Sequence, residues 1–286
     1  MKTNDQKEVA IKEKGGAVAN VNIEQFADQG FDNVDSKSLA LPFLKILGQL
    51  SPQVTQGDSQ FIPEARPGMI FNTVTNQLYD GTKGVTVIPC FYKLEYIEWK
   101  DRGMEGSSAP VNIYPADSDI MSKTTRDDQN KDRLENGHYV EDTGNHFCYI
   151  LDPKTYEPKE SVLITMKSSQ KKKSASWNTL TTTKTRTDDQ GSFVPPLWSS
   201  VYKLSTVKEE NVQKGHKWHG WSVEFHKWLE EGKDDEIMRT TSAFYEAVSK
   251  NDIFGEVDFE SGLDDAEEKT EPKQAQVTSQ SEDDPF

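Results

Sequence analysis

The residues best suited to chemistry lie between Met166 and Arg186, where Lys167, Lys171, Lys172, Lys173, Lys184 and Arg186 occur among many hydroxyls, one tryptophan, Trp177, and no acid. Lysine and arginine neutralise phosphates, serine and threonine hydroxyls bond phosphate oxygens, and an indole stacks on an unpaired base. An isolated Lys-Lys-Lys would equally suit a solvated helix or loop. The surroundings favour the first reading. Five of the six tryptophans (Trp177, Trp198, Trp218, Trp221 and Trp228) fall within residues 177–228, and residues 159–227 carry twelve Lys and Arg against six Asp and Glu. On the segment Lys217 to Phe225, alternation sets Trp221 with Val223 and Phe225 on a core face and Trp218 with Gly220, Ser222 and Glu224 on the opposite one. Trp218 is the better stacking candidate, beside Trp177. Trp198 and Tyr202 share a parity with Leu204 and stay ambiguous, while Lys203 and Lys217 are second-rank contacts.

Other chemistries are poorly served. Asp152 with Glu157-Pro-Lys159 imitates the Asp…Glu-x-Lys arrangement of metal-dependent nucleases, but there the Glu and Lys belong on a strand, and Pro153 and Pro158 make this a turn. His216, His219 and His226 have no cysteine or acidic pair at ligand spacing beside them. Gly-x-Gly-x-x-Gly, the Walker loop and Gly-x-Ser-x-Gly are absent. No catalytic residue, metal or cofactor is therefore expected, and a metal-dependent DNA nuclease is the alternative.

The elements that must position these residues read as mainly β. Gly68 marks a change of character: Met69-Ile70-Phe71 and turns at Asp80-Gly81 and Lys83-Gly84 lead into a long strand, Val85 to Trp99. On it Ile88, Cys90, Tyr92, Leu94 and Tyr96 alternate as one buried face, and Pro89 implies a bulge or a sheet edge. Further strands are expected at His146–Leu151, Ser161–Lys167, Leu197–Val207 and Lys217–Phe225. Residues 100–145 read as a loop-rich insertion. A helix is expected over 235–250, with Ile237, Thr241, Phe244 and Val248 at helical spacing behind an acidic first turn. The apolar patch from Leu39 to Leu50 is core of open type, since Pro42 interrupts either element. Five or six short strands in irregular order, flanked by helices, fit a small OB-like barrel over residues 21–254.

Charge divides the chain further. The formal net charge of −15 alone argues against a polyanionic ligand. Much of it lies in residues 256–286, where eleven acids face only Lys269 and Lys273. Residues 1–20 and 255–286 lack periodicity and read as disordered. An acidic end on a locally basic middle suits a nucleic-acid binder with a partner-recruiting tail. Cys90 and Cys148 sit in apolar runs and read as buried, reduced thiols. No apolar stretch approaches a membrane span and no signal-peptide region follows Met1, so a cytoplasmic location is expected, with no membrane partner.

The last residues, Ser281-Glu-Asp-Asp-Pro-Phe286, resemble the tails of bacterial and bacteriophage single-stranded DNA-binding proteins, which end in acidic residues followed by Pro-Phe or a terminal Phe. In this chain Asp284 joins Pro285 directly, without the extra hydrophobic residue common in the bacterial tails. The segments Asn72-Thr-Val-Thr, Val87-Ile-Pro-Cys and Tyr96-Ile-Glu-Trp-Lys-Asp-Arg-Gly103 are similar to uncharacterised bacteriophage proteins, some described as DNA-binding. These resemblances imply sequence-tolerant single-stranded DNA binding in phage replication or recombination, inside the bacterial host. They also imply that Asp283, Asp284, Pro285 and Phe286 dock on replication or recombination proteins. A phage protein that engages only host proteins through this tail is a third reading. The oligomeric state is not encoded in any feature of the sequence.

Overall fold

The computed structural model describes residues 40–101, 103–105, 109–212 and 215–250. They form a mainly β body of thirteen strands and two α-helices. The strands are β1 (Leu44–Ile46), β2 (Ile70–Asn72), β3 (Leu78–Tyr79), β4 (Val85–Trp99), β5 (Asn112–Pro115), β6 (Thr125–Arg126) and β7 (Asp132–Arg133). There follow β8 (Tyr139–Leu151), β9 (Pro158–Met166), helix α1 (Lys171–Thr183), β10 (Arg186–Asp188), β11 (Gly191–Phe193), β12 (Ser200–Asn211), β13 (His216–Trp228) and helix α2 (Asp235–Ser249).

The five long strands lie in the order β13-β12-β4-β8-β9, antiparallel throughout, and curl into a half barrel. The small sheet β1-β2-β3 packs across the opening, with β1 against both β9 and β13. Direct backbone contact ties it in, because Leu163 N donates to Pro42 O at 2.8 Å. Inside the half barrel lies one apolar core, including Val87, Ile150, Ile164, Met166 and Leu204. A second core lies outside, where Phe244 and Val248 of α2 cover Ile88, Leu151, Leu163 and Val201. The expected α2 is found with its acidic first turn, Asp235 and Glu236, and with Thr241, Phe244 and Val248 buried.

The strand expected over Val85–Trp99 forms with those bounds, but its side chains do not keep one face. Pro89 has no N–H to give the ladder, and the pairing with β8 shifts between Pro89 and Phe91, leaving Cys90 as the extra residue of a bulge. Ile88 and Cys90 therefore pack outside with α2, whereas Tyr92 pairs with His146 on the inner side. The alternation Ile88, Cys90, Tyr92, Leu94, Tyr96 is thus split between two faces.

The segment 100–145 is also more ordered than expected. It contributes β5, β6, β7 and the first seven residues of β8. Its anchor is Glu98, only 2% exposed, which accepts from His138 Nδ1 at 2.6 Å, Tyr114 Oη at 2.7 Å, Asn112 Nδ2 at 2.8 Å and Asn136 Nδ2 at 3.2 Å. Burial pushes the Glu98 carboxyl up, but these donors outweigh it and hold it at about 2. Nearby, Arg133 and Lys131 both donate to Asp101 and keep its carboxyl at about 2.

Candidate functional site

The basic run between Lys167 and Arg186 folds as a 3-10 turn at Ser168–Gln170 leading into α1. This helix has no apolar stripe: only Ser174 and Trp177 are buried, and Ser176, Thr179, Thr182 and Thr183 return their hydroxyls to carbonyls one turn back. Close docking holds it instead. Ser174 fits over Gly144, where a Cβ would lie 2.5 Å from its Oγ. The basic side chains are mostly engaged within the fold. Lys167 reaches Glu141 at 3.0 Å and lies over the Trp99 ring, Lys171 pairs with Asp142, and Lys173 meets Glu209 at 2.7 Å. Lys184 stands 4.3 Å over the Phe225 ring, and Arg186 donates to Leu229 O at 3.1 Å. Lys172 and Lys203 are exposed and form no ion pair among the described residues, and exposed Lys217 lies 3.5 Å from Glu210. Of the basic residues expected to contact phosphates, only Lys172 and Lys203 are thus both exposed and outside any ion pair among the described residues.

Two of the aromatic candidates move to the interior. Trp177 is 1% exposed and stacks on His146, centroids 4.4 Å apart, and meets fully buried Tyr202 edge-on at 5.7 Å. Neither ring can take a base there, because both lie beneath the apolar packing that α1 and β12 complete. Burial drives the His146 pKa down to about 3, so the ring is neutral, and its Nε2 bonds Ser174 Oγ at 2.8 Å. Trp198 is half-buried against α2, whose Thr241 Oγ1 donates to its carbonyl. Trp221 is fully buried, as alternation predicts, and Trp218 faces the other way.

Around Trp218 lies a cleft of about 580 Å³, formed where the β12–β13 hairpin meets the chain after β1. Its apolar wall includes Ile46, Leu47 and Pro67, and its polar wall carries Lys208 and Lys217 beside Glu209, Glu210 and His219. The indole is fixed: Nε1 donates to Glu209 Oε2 at 2.8 Å while Glu209 Oε1 holds Lys173. Behind His219, Gly68 tolerates no side chain, since it stands at φ +88° and a Cβ on it would sit 2.6 Å from the His219 ring. Thr206 Oγ1 pins the same residue through its carbonyl at 2.6 Å. Burial, and then Lys208, lower the His219 pKa. A fixed half-buried ring with Lys208 and Lys217 beside it can stack a planar base and bring a lysine to a phosphate.

Sequence reasoning reached Trp218 and Lys217 but missed Lys208, His219 and the apolar wall. Their signal is only the register pair Lys208 with His219, which appears once β12 and β13 are aligned. Of the nuclease-like residues, Asp152 and Glu157 lie in the turn between β8 and β9 as expected, but Pro158 and Lys159 open β9; Asp152 accepts from the N–H groups of Lys154 and Thr155 and pairs with Lys159 at 2.9 Å. His226 bonds Tyr156 Oη at 2.6 Å, away from the cleft histidine. Among the described residues no cluster of three His, Cys, Asp or Glu is placed to hold a metal, and no helix is long and apolar enough to cross a membrane. Asp283, Asp284, Pro285 and Phe286, and the regions 1–20 and 255–286, lie outside the described residues.

The body is thus a curled half barrel carrying two helices and one aromatic, partly cationic cleft. The chain belongs to the Pam3 phage gp34-like protein family, whose model matches residues 11–253. Neither the curated proteins nor the solved structures contain a match to it.

Proposed function

We propose that this phage protein binds single-stranded DNA in the host cytoplasm during replication or recombination, without catalysis. The observation that carries the reading is the Trp218 cleft, where a ring locked by Glu209 stands among Lys208, Lys217 and His219. A second support is topological. The order β13-β12-β4-β8-β9, with α1 between β9 and β12, is compatible with an OB barrel opened between its third and fifth strands. OB barrels bind oligonucleotides on one sheet face and on the loops at its rim, including the loop between the last two strands. In this chain that loop joins β12 to β13, and the described strand ends on either side of it, Lys208–Glu210 and Lys217–His219, line the cleft. The outer face of the long strands near Ile88 and Leu163 is occupied by α2, so the DNA path runs along the rim. On this reading Asp283, Asp284, Pro285 and Phe286 recruit replication or recombination proteins, and the acidic segment competes weakly with DNA for the cations.

Gel shifts of labelled single strands, duplex and RNA over a salt series, with Mg²⁺ present, test the proposal. Single strands are expected to bind uncut and tighter than duplex, with a log–log salt slope of roughly −0.7 per phosphate contact. Removing residues 256–286 is expected to keep or raise the affinity. Equal or tighter binding to duplex would refute the reading, and cleavage would replace it by the nuclease.

A further inference from the structure

Tyr92 and Tyr96 on β4 and Tyr114 on β5 share the inner side of the sheet, beyond the part of the half barrel filled by the apolar core. Tyr96 lies directly opposite Tyr114 across the β4–β5 ladder and opposite Asp142 across the β4–β8 ladder. Tyr92, four residues back on the same face, lies against His146 with ring centroids 4.9 Å apart. All three rings are half-buried, so part of each is open to solvent. Tyr114 is fixed by its hydroxyl, which donates to Glu98 at 2.7 Å.

The first turn of α1 joins this row to the cleft. Lys171 pairs with Asp142 beside Tyr96, and Lys173 pairs with Glu209, the residue that holds Trp218. Lys172, between them, is exposed and forms no ion pair among the described residues. Three consecutive lysines therefore span two aromatic surfaces. The Lys171 side chain is mostly exposed, and an ion pair with one partner in solvent contributes little to stability, so exchanging its carboxylate for a phosphate costs little.

We propose that Tyr92, Tyr96 and Tyr114 form a second stacking surface for the same unpaired strand, which leaves the Trp218 cleft, crosses Lys171–Lys173 and lays its next bases on these rings. This rests on the single-strand reading above. Aromatic rings on a pleated face suit any base, because every base offers a π face, and the lysine turn supplies the charge that rings lack.

Fluorescence anisotropy with the full chain and a labelled oligothymidine of about 16 nucleotides, the upper range of one OB-type site, is the test. Tyr96→Ala is expected to weaken binding by about 5- to 100-fold, and Tyr96→Phe, which keeps the ring, to bind as the wild type does. Tyr96→Thr, a good strand former, serves if the alanine variant fails to fold, with melting temperature as the control. Wild-type affinity in folded Tyr96→Ala or Tyr96→Thr would overturn the second surface and leave the cleft standing. No binding by the wild-type chain would remove both.

Discussion

On β13, Trp221 enters the half barrel, while Trp218, three residues earlier, enters the cleft. Trp221 is fully buried, and its Nε1, like that of Trp177, has no hydrogen-bond partner among the described residues. Trp218 is half-exposed, and its Nε1 is held by a carboxylate that is itself held by a lysine. The same ring thus fills volume in one region and is aimed in the other. Packing alone orients an interior indole, whereas a surface indole needs a polar tether to present one face to a ligand.

The sharpest way to break this contrast is truncation inside the barrel. Trp221→Ala is expected to lower stability by roughly 3–5 kcal/mol, since a fully buried large ring leaves a cavity. Urea melts measure this, and DNA affinity well below the melting range should be unchanged. A loss below about 1 kcal/mol would mean that the interior collapses around the missing ring.

Acid provides the next contrast, because the interior ring stack contains His146. Its folded pKa of about 3 lies below the ordinary value of 6.5, so the unfolded chain binds a proton that the native chain does not. Stability is therefore complete above pH 6.5 and falls as pH drops toward 3, by up to about 1.4 kcal/mol per unit. Carboxylates held low, such as Asp152 at about 2 against 3.8, lose their contribution only below that ordinary value. Melts between pH 7 and 4.5 should decline steadily in the wild type and flatten in His146→Gln. Equal slopes would move the titrating group elsewhere.

The smallest effect on folding should come from the cleft. Trp218→Ala is expected to leave the melting temperature nearly unchanged and to weaken single-strand binding by about 1–3 kcal/mol. Unaltered affinity with lowered stability would make Trp218 a structural residue and remove the main support for the cleft.

Strand identities were legible wherever β-branched and aromatic residues run between turn signals: β4 was read with its bounds, and β9, β12, β13 and α2 nearly so. The parity of Trp218 and Trp221 followed from alternation alone. Helix α1 was not legible as a packed element, because Ser174 and Trp177 are its only buried residues and its threonines mimic a loop. Trp177 and Tyr202 were misassigned for a related reason. Basic neighbours in sequence suggested a surface, but Lys172 and Lys203 are exposed while the Trp177 and Tyr202 rings are buried. The Glu98 cluster left no trace in the sequence, since His138 is forty residues away. Nor does local sequence reveal that Lys171 and Lys173 meet Asp142 and Glu209, acids from distant strands.

Cys90 gives β4 something like a reading frame. It is one character more than the facing strand can match, and the two halves of β4 are each in frame with β8 only because that character is skipped. Removing Cys90 would leave Ile88 and Phe91 opposite the partners they already have, whereas removing Leu94 would send every side chain beyond it to the wrong side. The strand thus has one place where its length can change by a residue without its two faces trading contents.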